Sequence, residues 1–262
     1  MGSETILKVN DLSKTFKLSK KQQKIQNTTD NLKVAVNHLS FEAYRGEIFG
    51  LLGPNGAGKT TTLRMLSTLI RPDSGDAILD GVSIVQNPEI VREKIGFLTS
   101  ELKLEEFFTP NYLFDFFSEL HGVEPAVRDQ RKEKMFKQFG IDQFAEVKVS
   151  NMSTGMKQKT SLVISLVHDP EIIIFDEPTN GLDVITAKTV TDYLLELKAE
   201  GKTIIVSTHI FSLVEKICDR AGIVINGQMN VCDTIEALTG EKTLEDKFFD
   251  IYLETVGDGN EK

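Results

Sequence analysis

The chain of 262 residues has no tryptophan and two cysteines, Cys218 and Cys232. Two thiols cannot build a disulfide scaffold, and their spacing matches no metal-binding pattern. They read as small buried hydrophobes in a reducing compartment. The four histidines are scattered, with no H-x-x-x-H pair for a helical metal site. No apolar run approaches the ~20 residues of a membrane span. Basic residues are in deficit: 30 Lys and Arg stand against 39 Asp and Glu, a net charge of −9. That balance argues against bulk nucleic-acid binding, which favours a basic face. The opening MGSETILKV has neither a basic region nor a long apolar core, so no secretory signal is expected. The expected location is the cytosol, with any membrane role exercised through a partner.

Short apolar runs are present and alternate with longer helical patterns. Ile6–Val9, Ile48–Leu52, Ile95–Leu98, Ile172–Phe175, Ile204–Val206 and Ile223–Ile225 read as strands. Their unbroken apolar character predicts burial on both faces, as in a parallel sheet flanked by helices. Helical patterns cover Lys59–Leu69, Tyr112–Leu120, Arg128–Phe139, Met156–His168 and Thr186–Ala199. The fold class expected is α/β in one domain. Residues 1–98 and 171–240 form its core, 99–170 a mainly helical inserted lobe, and 241–262 a C-terminal helix and tail. The Lys-rich stretch Lys17–Lys33 reads as a mobile, solvated hairpin loop, with contact to acidic lipid headgroups or a partner as the alternative.

One motif is complete. Gly53-Pro54-Asn55-Gly56-Ala57-Gly58-Lys59-Thr60 matches G-x-x-x-x-G-K-[ST], follows a strand and opens a helix. Gly56 and Gly58 let backbone N–H groups wrap an anion, and the helix points its positive end at the same place. Lys59 supplies charge for outer phosphates, Thr60 a hydroxyl for Mg²⁺, and Thr61 a further phosphate contact. The strand Ile172–Phe175 ends in Asp176 and Glu177, and ligands gather at such strand ends. Asp176 is placed to hold Mg²⁺ directly or through water. Glu177, pointing the other way if the strand continues, is placed to polarise an attacking water.

Further along, Met152-Ser153-Thr154-Gly155-Met156-Lys157-Gln158-Lys159 resembles the signature sequence of ATP-binding cassette (ABC) transporter ATPases, ending Gly-Met rather than Gly-Gln. Pro178 to Asp183 (PTNGLD) is similar to that family's D-loop, and Ser207-Thr208-His209 to its switch histidine. Order and spacing agree from Leu7 to about Asp233. The resemblance implies a P-loop core with a mainly parallel sheet, an N-terminal antiparallel β subdomain and an inserted helical lobe. It implies ATP and Mg²⁺ as ligands, and ATP hydrolysis as the activity. Ser153 and Gly155 would face the ATP of an opposite subunit, Asp183 would couple the two sites, and His209 would hold the γ-phosphate and water with Glu177. The pairing would be a homodimer or a match with a related ATPase subunit. Phe16 stands where the family places an adenine-stacking aromatic; on its own it also fits a core aromatic. The family's Gln after the strand Ile95–Leu98 is replaced by Ser100, which could reach a metal through a water, with Glu101 as the other candidate.

The resemblance also implies a separate transmembrane permease, with the subunit peripheral on the cytoplasmic face of the cell membrane. The stretches GEIFGLLGPNGAGKTTTLRML and TLEDKFFDIYLE are most similar to exporter subunits of the sodium- and drug-efflux branch. Two other classes stay open at this level. One is a soluble ABC ATPase serving a cytosolic assembly or nucleic-acid machine. The other is a non-catalytic regulator, which would be expected to lack Glu177 or His209.

Overall fold

Apolar runs with no polar interruption form strands covered on both faces, as at Ile48–Leu52, Ile172–Phe175 and Ile204–Val206, whereas Ile6–Val9, interrupted by the exposed Lys8, joins an antiparallel sheet instead. The computed structural model describes residues 4–25, 27–99, 104–240 and 242–257. In chain order the first half runs β1 (Thr5–Lys17), α1 (Lys20–Ile25), β2 (Leu32–Tyr44), β3 (Ile48–Leu52), α2 (Lys59–Leu66), β4 (Ser74–Leu79), β5 (Val82–Ser83), α3 (Pro88–Lys94) and β6 (Ile95–Thr99). Then come α4 (Pro110–Leu120), α5 (Pro125–Phe139), α6 (Thr154–Ser165), β7 (Ile172–Asp176), α7 (Val184–Ala199), β8 (Thr203–Thr208), α8 (Phe211–Ile217), β9 (Arg220–Ile225), β10 (Gln228–Thr234), α9 (Ile235–Thr239) and α10 (Leu244–Val256).

One sheet has the order β10-β9-β3-β8-β7-β6, parallel except for its β9–β10 hairpin. Every residue of β3, β7 and β8 is buried. Alternation splits their side chains between two cores. Ile173 and Phe175 join Val163, Leu194 and Val214 on one face. Ile172 and Ile174 join Leu63, Val36 and Leu7 on the other. The second sheet is antiparallel with the order β2-β1-β4-β5, and it closes the face that carries α2. Among the described residues, 104–165 hold α4, α5, α6 and two short 3₁₀ turns, but no strand.

Local chemistry sets the helix ends. Thr109 caps α4 by accepting from the Tyr112 N–H, with Pro110 at the first position. Gly140 ends α5 in a left-handed conformation. Proline pre-organises the first turn, so the helices expected at Tyr112 and Arg128 begin earlier, at Pro110 and Pro125. The stretch Lys17–Lys33 differs from the expected loop. β1 runs through Lys17, β2 starts at Leu32, and the short helix α1 stands between them with no buried residue.

His168 joins this core to the lobe. Its Nε2 lies 3.0 Å from the Ile95 carbonyl, and its ring stacks on His121 with centroids 4.1 Å apart. Burial, then the neighbouring His121, pushes its pKa down to about 4. An unfolded chain therefore takes this proton first as pH drops below ~6.5, and the native state loses stability from there towards pH ~4. Urea midpoints should fall between about pH 7.5 and about pH 5, and His168→Gln should flatten that slope.

Candidate active site

Parallel register builds the site. β3, β8 and β7 are neighbours, with Leu52 opposite Thr208 and Ser207 opposite Asp176. The loop after β3, the His209 after β8 and the Glu177 after β7 therefore leave the sheet at one level. This is the carboxyl edge where open α/β sheets gather ligands.

The loop Gly53–Thr60 turns tightly because other backbone presses on it. A Cβ on Gly53 would stand 2.2 Å from the Val224 carbonyl oxygen. At Gly58, with φ +104°, it would stand 2.3 Å from the Ala35 carbonyl oxygen. The β9–β10 turn braces the same loop: the Gly227 N–H donates to the Ala57 carbonyl, and the Asn37 N–H on β2 donates to the Gly227 carbonyl, both at 2.9 Å. Lys59 is buried and donates to the carbonyls of Gly53 at 2.6 Å and Pro54 at 3.2 Å. Burial pulls its ammonium below the usual lysine range, against the opposing pull of Glu177 and then Asp176.

The acidic pair divides by backbone geometry. Asp176 closes β7 on the face that carries Ile172 and Ile174, which is the α2 face. The Thr60 hydroxyl lies 3.1 Å from its Oδ1, and the Ser207 hydroxyl donates to the same oxygen. The strand stops there. Glu177 has φ +54° and donates its N–H to the Ser207 carbonyl at 3.0 Å. A left-handed turn, rather than continued strand alternation, thus aims its side chain. Its Oε1 lies 3.0 Å from His209 Nδ1 and 3.7 Å from Lys59 Nζ. A carboxylate only accepts, so Nδ1 carries the proton of that bond. The other oxygen, Oε2, is buried and has no partner among the described residues.

Asp176 lines a cavity of about 180 Å³, whereas Lys59, Thr60, Glu177 and His209 line one cleft of about 420 Å³. Asn55 to Thr61 form its floor, and Glu177, Asn180 and His209 one end. Phe16, 38% exposed, stands at the other end with Lys33 and Ala35. Phe16 is therefore a cleft wall and not a core aromatic. Sequence reading missed Ser207, Asn180, Lys33 and Ala35 as site residues. Strand register signals two of them, since it sets Ser207 opposite Asp176 and Lys33 opposite Phe16. Ser153, Gly155 and Asp183 stand elsewhere. Ser153 caps α6 through the Met156 N–H, and Asp183 caps α7 through the N–H groups of Ile185 and Thr186. A Cβ on Gly155 would lie 4.0 Å from Asp183 Oδ2, so signature and D-loop residues are neighbours. Ser100 and Glu101 lie outside the described residues.

Gly58→Ala combines a left-handed backbone with a contact no Cβ tolerates. It should cost at least ~2 kcal/mol in urea denaturation, and abolish nucleotide binding if the loop shifts to relieve it.

The ABC transporter family model matches residues 36–180. The ABC transporter ATP-binding protein NatA of Bacillus subtilis (strain 168) is 36% identical over 213 residues, covering 81% of this chain and 87% of that protein. The Nod factor export ATP-binding protein I of Ralstonia nicotianae is 34% identical over 228 residues, covering 87% of this chain and 67% of its own. A solved ATP-binding subunit of an ABC transporter superposes with a TM-score of 0.82 at 26% identity, covering 95% of this chain and 100% of that one. A family match across more than half the sequence thus meets a cleft that already has the loop, the carboxylates and the histidine in place: the chain belongs to the ABC transporter family, as an ATP-binding subunit that hydrolyses ATP.

Proposed function

We propose that Glu177 is the general base of this ATPase and that the subunit powers export of a substrate through a separate membrane permease. The observation that carries the first part is the Glu177 carboxylate lining the cleft beside the phosphate loop, with its Oε1 3.0 Å from His209 Nδ1 and 3.7 Å from Lys59 Nζ, and its Oε2 without a hydrogen-bond partner among the described residues. A carboxylate at that place, with acceptor capacity to spare, can take a proton from a water at the γ-phosphate. The base and phenyl face of Phe16 would lie together at one end of the cleft, with the triphosphate along Gly56 to Thr61. Water attacks the γ-phosphorus in line, its proton goes to the Glu177 carboxylate, and the bond from phosphorus to the bridging oxygen of ADP breaks. Lys59 and the N–H groups of the loop stabilise the charge that develops. His209 orients the carboxylate and lies close enough to the same end of the cleft to hold the outgoing phosphate.

The Thr60 hydroxyl and Asp176 carboxylate, 3.1 Å apart, are hard oxygen donors of the kind Mg²⁺ takes. When bound there, Mg²⁺ supplies neutralisation of phosphate charge. The Ser207 hydroxyl fixes the Asp176 oxygen that faces Thr60. Ser100 would join this set through a water, as an expectation from the sequence.

Two subunits would pair, as a homodimer or with a related chain. Ser153, Gly155 and Asp183 do not line their own cleft, and the adjoining Val184 and Ile185 are 86% and 79% exposed. A partner's nucleotide end would cover both features. The permease would dock in a second groove of about 480 Å³, whose apolar wall includes Leu69, Phe97, Leu113, Phe117 and Ile164. Among the described residues, no helix is long and apolar enough to cross a membrane, so attachment on the cytoplasmic face would run through that groove. The word export in the name of the Ralstonia relative supports the direction of transport, and the sodium- and drug-efflux branch remains the resemblance in sequence.

Glu177→Gln keeps the shape and removes the base. ATP turnover should drop at least ~100-fold, while the variant still binds ATP and accumulates as a dimer in size-exclusion chromatography. Turnover at the wild-type rate would rule Glu177 out. Leu69→Glu, at a 58% exposed position, should release the subunit from permease-containing membranes and spare the turnover of the isolated chain.

A further inference from the structure

The base end of the cleft has a cation that phosphate chemistry does not use. Phe16 and Lys33 are direct partners in the β1–β2 ladder, so their side chains leave the same face of the sheet. Both line the cleft. Lys14, two residues before Phe16, is already engaged. Its ammonium donates to Asp73 at 2.7 Å and to the Arg71 carbonyl at 2.8 Å, and stands 5.8 Å from the Phe16 ring centroid. Lys33 differs: among the described residues its ammonium has no hydrogen-bonding or ion-pair partner. It also lies beyond Ala35, whose carbonyl packs on Gly58, so the far phosphates belong to Lys59.

We propose that Lys33 contacts the nucleotide itself, its ammonium donating to acceptors at the base and ribose end while the base lies on Phe16. An ammonium has three donors and no acceptor. It suits ribose oxygens and purine ring nitrogens, and it reads nothing at the γ-phosphate. Lys33 thereby adds affinity for ATP and ADP alike. The proposal rests on the reading of this cleft as the ATP site.

The test is nucleotide binding by calorimetry, with ADP and, in the Glu177→Gln background, with ATP. Lys33→Met removes the charge and keeps the apolar stem at an exposed position. Lys21→Met, on α1 and not among the residues that line the cleft, is the control. Lys33→Met should weaken ADP and ATP by one common factor of about fivefold, and Lys21→Met by none. The difference should vanish at about 1 M salt, where exposed charges are screened. Unchanged binding by Lys33→Met overturns the proposal. Loss for ATP without loss for ADP also overturns it, because the ammonium would then serve the γ-phosphate. If the parent chain binds neither nucleotide, the ATP-site reading fails and takes the proposal with it.

Discussion

The register of three parallel strands governs everything at the carboxyl edge of the sheet. With β8 between β3 and β7, the phosphate loop emerges beside His209 and the acidic pair, which lie more than a hundred residues further along the chain. A slip of one residue in β7 would turn Asp176 away from α2 and send Phe175 into the polar cleft. The uninterrupted Ile and Phe side chains of β7 prevent that slip by filling two different cores at once. Hydrophobic packing thus sets the position of the most polar group in the site. The buried Asp176 is in turn satisfied by hydroxyls from both sides, Thr60 on α2 and Ser207 on β8, which is what a buried carboxylate requires.

Sequence made the phosphate loop legible because its glycines, lysine and threonine are contiguous and each has a distinct physical duty. The central strands were legible for a similar reason, since burial on both faces leaves an unbroken apolar signature. What escaped was whatever depends on pairing across long separations. β2 opens on Leu32 and Lys33 and alternates irregularly, and β10 is half polar. Neither has the pattern of a core strand, and both exist because a neighbour supplies hydrogen bonds. The direction of Glu177 was read from strand alternation, but a non-glycine residue in the left-handed region aims it instead. No period in the sequence reports such a turn. Ser207 was visible as a letter beside His209, yet its hydrogen bond to Asp176 follows only from register.

Charge tells a related story. Lys59, Glu177, Asp176 and His209 are crowded at the cleft, and three of them are mostly shielded from water. Groups so arranged would be costly in a protein selected for stability alone. Their arrangement is consistent with a ligand of high negative charge completing the electrostatics, so that the loop lysine exchanges backbone carbonyls for phosphate oxygens.

The β9–β10 turn has a wider consequence. Gly227 spends its N–H on the phosphate loop and its carbonyl on β2, while Gly58 rests against the Ala35 carbonyl of that same strand. One wall of the cleft is thereby bolted to the other through main chain alone, like the jaws of a locked caliper. The span between the platform that faces the base and the loop that faces the phosphates is a backbone dimension. Side-chain changes along the cleft can alter how tightly a nucleotide is held there, but the length of molecule that the cleft measures stays fixed.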